Sequence, residues 1–216
     1  MDLKIINLLL EATLETLYMS VVATLIATLL AIIPAILLVL CEPRGLAPNK
    51  IIFRVLDTIL NTLRSFPFII LMVVLLPFTK WLLGISYGAS AAIVPLSIGA
   101  MPFIARIIEN ALKEVDKGVI EAALSFGASN SQIIFRIMLI EALPSIISGI
   151  TLAFILVIGF SAMAGSLGGG GLGDVAIKYG YYRFQSDIML YNVIILICLV
   201  QIIQSLGDFL YRKLKK

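Results

Sequence analysis

Few residues in this sequence have the type and spacing to do chemistry. Gly168–Gly173 reads Gly-Gly-Gly-Gly-Leu-Gly and formally satisfies the G-x-G-x-x-G pattern that cradles a dinucleotide pyrophosphate. That pattern works between a strand and a helix of a βαβ unit, whereas here it follows a long apolar run. The same stretch begins a phosphate loop, but Asp174 stands where the loop needs lysine and would repel phosphate. No ATP site is expected. Cys41 and Cys198 lie far apart without metal-ligand spacing and read as small apolar residues. The chain has no histidine, which removes the commonest general base and the commonest metal ligand together. No catalytic residue, cofactor or metal is expected. The carboxylate that stands out is Glu121, followed by Ala122 and Ala123 and then by Gly127. On an exposed helix it is either merely solvated or a pair of acceptor oxygens offered to a partner.

The elements that must position these residues follow from composition. Of 216 residues, 61% are hydrophobic and 13% charged, with mean hydropathy +1.09. Soluble domains carry about 25% charged residues, so this chain has exchanged charge for apolar surface that only lipid solvates. The net charge of +3 is small, and the basic residues sit between apolar stretches without interleaved aromatics, so nucleic acid is not an expected partner.

A helix needs about 20 largely apolar residues to cross the hydrocarbon core. Leu17 to Leu40, Trp81 to Ala105 and Ile188 to Gly207 are uncharged runs of that kind, and Ala142 to Gly173 is longer than one span requires. Its glycine-rich end predicts a helix stop near Ala164 with a loop, or a closely packed re-entrant turn, beyond it. Ser65 to Thr79 is short, so that span is predicted to begin near Thr58, with Arg64 snorkelling towards a headgroup region. The result is an all-α polytopic fold of five spans, about 17–40, 58–79, 83–105, 142–164 and 188–207, in a single membrane domain over 1–216. Asp2, Glu11 and Glu15 precede the first span where a signal peptide carries basic residues, so the span is expected to be retained.

Counted by alternate sides, Arg44, Lys50, Arg54, Arg64, Arg106, Lys113, Lys117, Arg136, Arg212, Lys213, Lys215 and Lys216 share one side. Only Lys4, Lys80, Lys178 and Arg183 lie on the other, a split of 12 to 4. The positive-inside rule then places the N-terminus outside, the C-terminus in the cytoplasm, and a cytoplasmic loop over about 111–138. Trp81, Tyr87, Tyr179, Tyr181, Tyr182 and Phe184 gather at the outer side.

Proton- or sodium-coupled transporters need ionisable groups at membrane depth, and the cores of spans one, three, four and five have none. Energy for transport must come from elsewhere. Pro34, Pro67, Pro95, Pro102, Gly99, Gly149 and Gly159 are either tolerated helix breakers or kinks at which a pathway opens.

In the cytoplasmic loop Val115, Val119, Ala122 and Phe126 recur at helical spacing and end at Gly127; Ser129 to Gln132 then forms a capping-box pattern opening a second short helix with Ile133, Ile134, Phe135 and Ile137. Glu121-Ala122-Ala123, three residues, Gly127, nine residues and Ile137 resembles the coupling-loop signature of ABC importer permeases. Where that signature ends in Leu-Pro, Leu139 is followed by Ile140 and the proline comes at Pro144. A more extended resemblance, to the methionine-importer permeases, rests on Arg64-Ser65-Phe66-Pro67-Phe68-Ile69-Ile70-Leu71, on Ser161-Ala162-Met163-Ala164-Gly165 through Asp174, and on Tyr179-Gly180-Tyr181-Tyr182-Arg183-Phe184-Gln185.

The resemblance implies a type I importer permease fold and a homodimer in the cell (inner) membrane. It also implies two cytoplasmic ATP-binding subunits and an extracytoplasmic binding protein that delivers D- and L-methionine. Glu121, Ala122, Ala123 and Gly127 are then expected to couple to the ATPase groove, the alanines allowing deep approach and the glycine setting the turn. Ser161, Met163 and Gly165 are expected near the dimer axis at a gate, where a thioether can seal a path without binding a polar solute. Another amino acid or small polar solute is the alternative cargo. A membrane-embedded enzyme or autonomous channel would need a cluster of catalytic or ligating groups that the sequence does not offer.

The charge split makes a direct prediction. Impermeant thiol labelling should reach a cysteine placed at Gly180 from outside, and should miss one at Lys117 or Lys215; the reverse pattern would sink both the topology and the coupling-loop assignment.

Overall fold

In the computed structural model of the chain, residues 3–215 are described. Asp2 and Lys216, which entered the charge argument, lie outside them. The described residues form nine α-helices joined by short turns: α1 Leu3–Cys41, α2 Lys50–Ser65, α3 Phe68–Leu83, α4 Ala89–Lys113, α5 Lys117–Ser125, α6 Asn130–Gln132, α7 Leu139–Ala164, α8 Gly171–Val175 and α9 Ser186–Leu214. Six-residue π-helical turns, Ile133–Met138 and Ala176–Tyr181, follow α6 and α8. Four helical stretches are long and apolar enough to cross a membrane: α1, α4, Asn130–Gly169 and α9. The bent pair α2–α3 makes a fifth when its two helices are counted as one broken span.

That bend corrects the expected second span. Instead of one helix from Thr58 to Thr79, the chain turns by 106° between α2 and α3. Pro67 has no N–H to continue the ladder and excludes Phe66 from helical space, leaving it at φ −72°, ψ 125°. Arg64 stands exposed at the bend, its guanidinium 5.2 Å over the Phe103 ring. Other boundaries also move. The third span starts at Ala89, not 83, because Trp81 to Leu83 finish α3 and Gly84 (φ 75°) and Gly88 (φ 89°) turn the chain. The helix of the first span begins at Leu3 rather than 17, since exposed Glu11 and Glu15 are good helix formers. Likewise α9 runs on to Leu214. The second short helix of the 111–138 loop does not end: it continues through the π turn and Pro144 into the long apolar stretch, whose α-helical part ends at Ala164.

The core is built on α1 against α4. A stripe of Thr16, Ser20, Ala23, Ala27, Ala31 and Ala35, all 1% exposed or less, lets α1 lie close to Ala92, Leu96, Ala100 and Ile104. Small residues bring backbones together where lipid supplies no hydrophobic drive for association. Two glycines serve the same end: a Cβ at Gly149 would overlap Ile107 of α4, and one at Gly207 would overlap Thr151 of α7. The Phe68 ring stacks on Phe160 at 4.4 Å, holding the start of α3 against α7. The outer surface carries Leu10, Leu25, Leu29, Ile33, Val74 and Ile197, as a lipid-facing surface does.

Candidate functional site

The loop after α4 builds a single exposed helix. Asp116 caps α5, its carboxylate accepting from the Gly118 N–H at 2.7 Å. At the other end Ala128 N donates to Ala123 O at 3.1 Å and Gly127 N to Leu124 O at 2.9 Å. This pair of bonds is a Schellman stop, which needs a left-handed residue after the helix, and Gly127 supplies φ +78°. The predicted capping box follows, Ser129 N donating to Gln132 Oε1 at 2.9 Å and Gln132 N to Ser129 Oγ at 3.4 Å. Asn130 Nδ2 donates to Leu46 O at 3.3 Å, pinning the loop to the segment after α1.

The stripe read from the sequence does not pack inward. Val115 is buried, but Val119 and Ala122 are exposed and Phe126 is 91% exposed; Ile120 and Ala123 meet the core instead. A nine-residue helix has two apolar edges, and the glycine turn with the Asn130 tether decides which one is covered. Glu121 and Ala122 therefore stand outside with Phe126, and Ala123 is half-buried. Among the described residues no hydrogen bond or ion pair engages the Glu121 carboxylate. The face is an acceptor, a smooth alanine and a projecting ring.

The glycine run forms a tight hairpin. After α7 the chain turns through Gly165–Gly169, with Gly168 at φ +85°, and re-enters at Gly170 and Gly171, φ +76° and +75°. A Cβ on Gly165 would sit 2.6 Å from the Gly173 carbonyl carbon, so the two limbs touch backbone to backbone. The stretch is thus the close approach that its composition allowed. Ser161 is buried, donating to Ile158 O at 2.7 Å, and Gly165 is buried in the hairpin; Met163 alone of the three expected gate residues is exposed, at 48%.

Sequence reasoning missed what anchors this hairpin. Glu15 accepts from Gly171 N at 2.7 Å, Thr16 Oγ1 from Leu172 N at 2.9 Å, and Asn192 Nδ2 donates to Leu172 O at 2.8 Å. Polar residues inside two otherwise apolar helices were the available signal. It also missed a charged cluster at the other end. Arg106 bonds the Asp57 carboxylate and Glu109 Oε2 (2.7 Å), and Lys113 bonds Glu109 Oε1 (2.8 Å) and Glu42 (3.2 Å). Glu109 is 2% exposed, and its place one helical turn from both cations was the cue.

Comparison with known proteins comes to the same architecture. Residues 44–216 match the family described as binding-protein-dependent transport system inner membrane component. A probable D-methionine transport system permease protein MetI of Vibrio cholerae is 49% identical over 96% of this chain and 92% of its own. The methionine import system permease protein MetP of Bacillus subtilis is 48% identical over 92% of this chain and 90% of its own. Among solved structures, a chain from inward-facing conformations of the MetNI methionine ABC transporter superposes with TM-score 0.98 at 39% identity, each chain covered completely. A chain of an amino acid ABC transporter solved with histidines shares the fold, with TM-score 0.80 at 19% identity over 97% and 95% of the two chains.

The geometry of α5 is testable without a partner. Gly127→Val forces a β-branched residue into left-handed space at a cost of about 1–2 kcal/mol. Hydrogen–deuterium exchange should then rise over 117–128 while α1 and α4 stay protected; unchanged exchange would show that the stop does not depend on Gly127.

Proposed function

The chain belongs to the family of binding-protein-dependent transport system inner membrane components, and from that premise we propose that it is the permease subunit of an ATP-driven importer of methionine. It spans the membrane and hydrolyses nothing itself. The whole chain, 1–216, acts as one permease domain with its N-terminus outside and residues 111–138 in the cytoplasm. Two copies form the path, two ATP-binding subunits dock beneath, and an extracytoplasmic binding protein delivers the cargo. The observation that carries this reading is the full-length superposition on the MetNI permease, TM-score 0.98 at 39% identity. The relatives' names support D-methionine and methionine without a stated stereoisomer, and we take both D- and L-methionine as the cargo.

Glu121, Ala122, Ala123 and Gly127 make the docking element. An exposed carboxylate without an internal partner, beside an alanine that permits close approach and on a helix fixed at both ends, has what a basic groove requires. At the opposite end Met163 is the gate residue, apolar and projecting. Buried Ser161 and Gly165 hold it by ending α7 against the glycine hairpin.

Charge-assisted bonds at Glu121 contribute about 1.5–3 kcal/mol each, so removing them weakens docking about tenfold or more. In reconstituted membranes Glu121→Ala should lower methionine uptake and ATPase-subunit co-purification, and Glu121→Arg should lower both further. Wild-type values for Glu121→Arg would make the loop a solvated connector. For the gate, cysteine in place of Met163 should cross-link between subunits. Cross-linking confined to α1 positions would reject the assignment.

A further inference from the structure

We propose that Arg106, Glu109 and Lys113 are positioning residues that carry the movement of α5 to the broken span and to the end of α1. The inference rests on the importer reading above. It starts from connectivity: only Glu114–Asp116 separate α4 from α5, so a displacement of α5 is applied to the end of α4 almost directly. α4 packs along α1 and touches α2, whereas α5 itself makes few contacts with either. An open-sided cavity of about 470 Å³ separates Lys117, Ile120, Glu121 and Leu124 of the coupling helix from Val39 and Glu42 of α1 and the following Arg44 to Leu46. The contact of α5 with Ile133–Met138 leads into α7.

Charge bridges the gap. Glu109 is a carboxylate 2% exposed, with one oxygen on Arg106 at 2.7 Å and the other on Lys113 at 2.8 Å. A buried carboxylate that loses its cations is strongly destabilised, so neither contact is released freely. Each cation also reaches a second segment of the chain. Through one nitrogen, Nη2, Arg106 donates to the Asp57 carboxylate, to Asp57 O at 3.3 Å and to Asn61 Oδ1 at 3.0 Å, all on α2. Lys113 reaches Glu42, just beyond α1, at 3.2 Å. The planar guanidinium suits the longer crossing because its donors point in fixed directions from one rigid group. Arg106 thus grips the arm of the broken span that precedes the 106° bend at Phe66–Pro67, where small displacement of α2 becomes reorientation against α3. Lys113 grips the base of the helix that packs along α4.

The cluster is tested in vesicles holding the assembled transporter, with methionine uptake and ATP hydrolysis measured on one preparation. Asp57→Asn and Glu42→Gln each cut one outer arm at a part-exposed carboxylate and bury no unpaired charge. Each should lower the ratio of methionine imported to ATP hydrolysed, and the double variant should lower it about tenfold, within the ordinary range of coupling between sites. Asp57→Glu, which keeps the carboxylate, should restore most of the ratio. An unchanged ratio in the double variant overturns the proposal. So does a parallel fall in uptake, hydrolysis and recovered complex, because that pattern marks a structural role only. Absence of ATP-dependent methionine uptake by the wild-type complex would overturn the importer reading instead.

Discussion

An unpaired backbone N–H or C=O in hydrocarbon costs several kcal/mol, and this chain satisfies its backbone almost everywhere by staying helical. Its long spans follow from that constraint. Between apolar helices the chain departs from helix at the bend at Phe66–Pro67 and at the glycine hairpin after Ala164. The glycine hairpin is largely covered by protein, while Ser65, Phe66 and Pro67 at the bend stand exposed. Phe68 and Phe160 stack beside the bend, while Glu15, Thr16 and Asn192 supply side-chain partners for backbone groups of the hairpin. Irregular backbone at membrane depth is tolerated where protein or a water-filled path receives it, and in a transporter such places are where shape can change.

Helices that cannot rely on hydrophobic association must meet by close packing, which explains the small residues along α1 and the glycines at 149 and 207. The tightness has a mechanical consequence. A core whose helices touch nearly backbone to backbone has little room for internal rearrangement and transmits strain. The exposed α5 lies at the edge of that core, held by a cap, a Schellman stop and one tether to Leu46, and leaves its outward face free for a partner.

Much of the candidate site was legible because local chemistry encodes it. Gly127, Ser129 and Gln132 specify helix stops and starts through bonds spanning a few residues, and each does what its position suggested, whereas the Asp116 cap emerged only in the structure. Exposed Glu121 followed by two alanines could be named from a short pattern. The outward turn of Phe126 could not, since periodicity gives the angle between side chains and not the direction of the core. Ser161 and Met163 lie two residues apart on one helix, yet one is buried and the other exposed, a distinction set by the hairpin folded against that helix.

Sequence alone determined that this chain is helical and membrane-embedded, because composition and the length of apolar runs are properties of residues and not of their neighbours. It also determined that the fourth span's helix ends near Ala164, since the glycine run that follows does not sustain the ladder. Tertiary structure decided the rest. Whether Pro67 would bend a span by 106°, whether α6 would merge with the fourth span, and that Glu109 would join Arg106 and Lys113 to Asp57 and Glu42 all depend on residues distant in sequence meeting in space. Those meetings are fixed by how the α1 and α4 surfaces interlock, which no single segment contains.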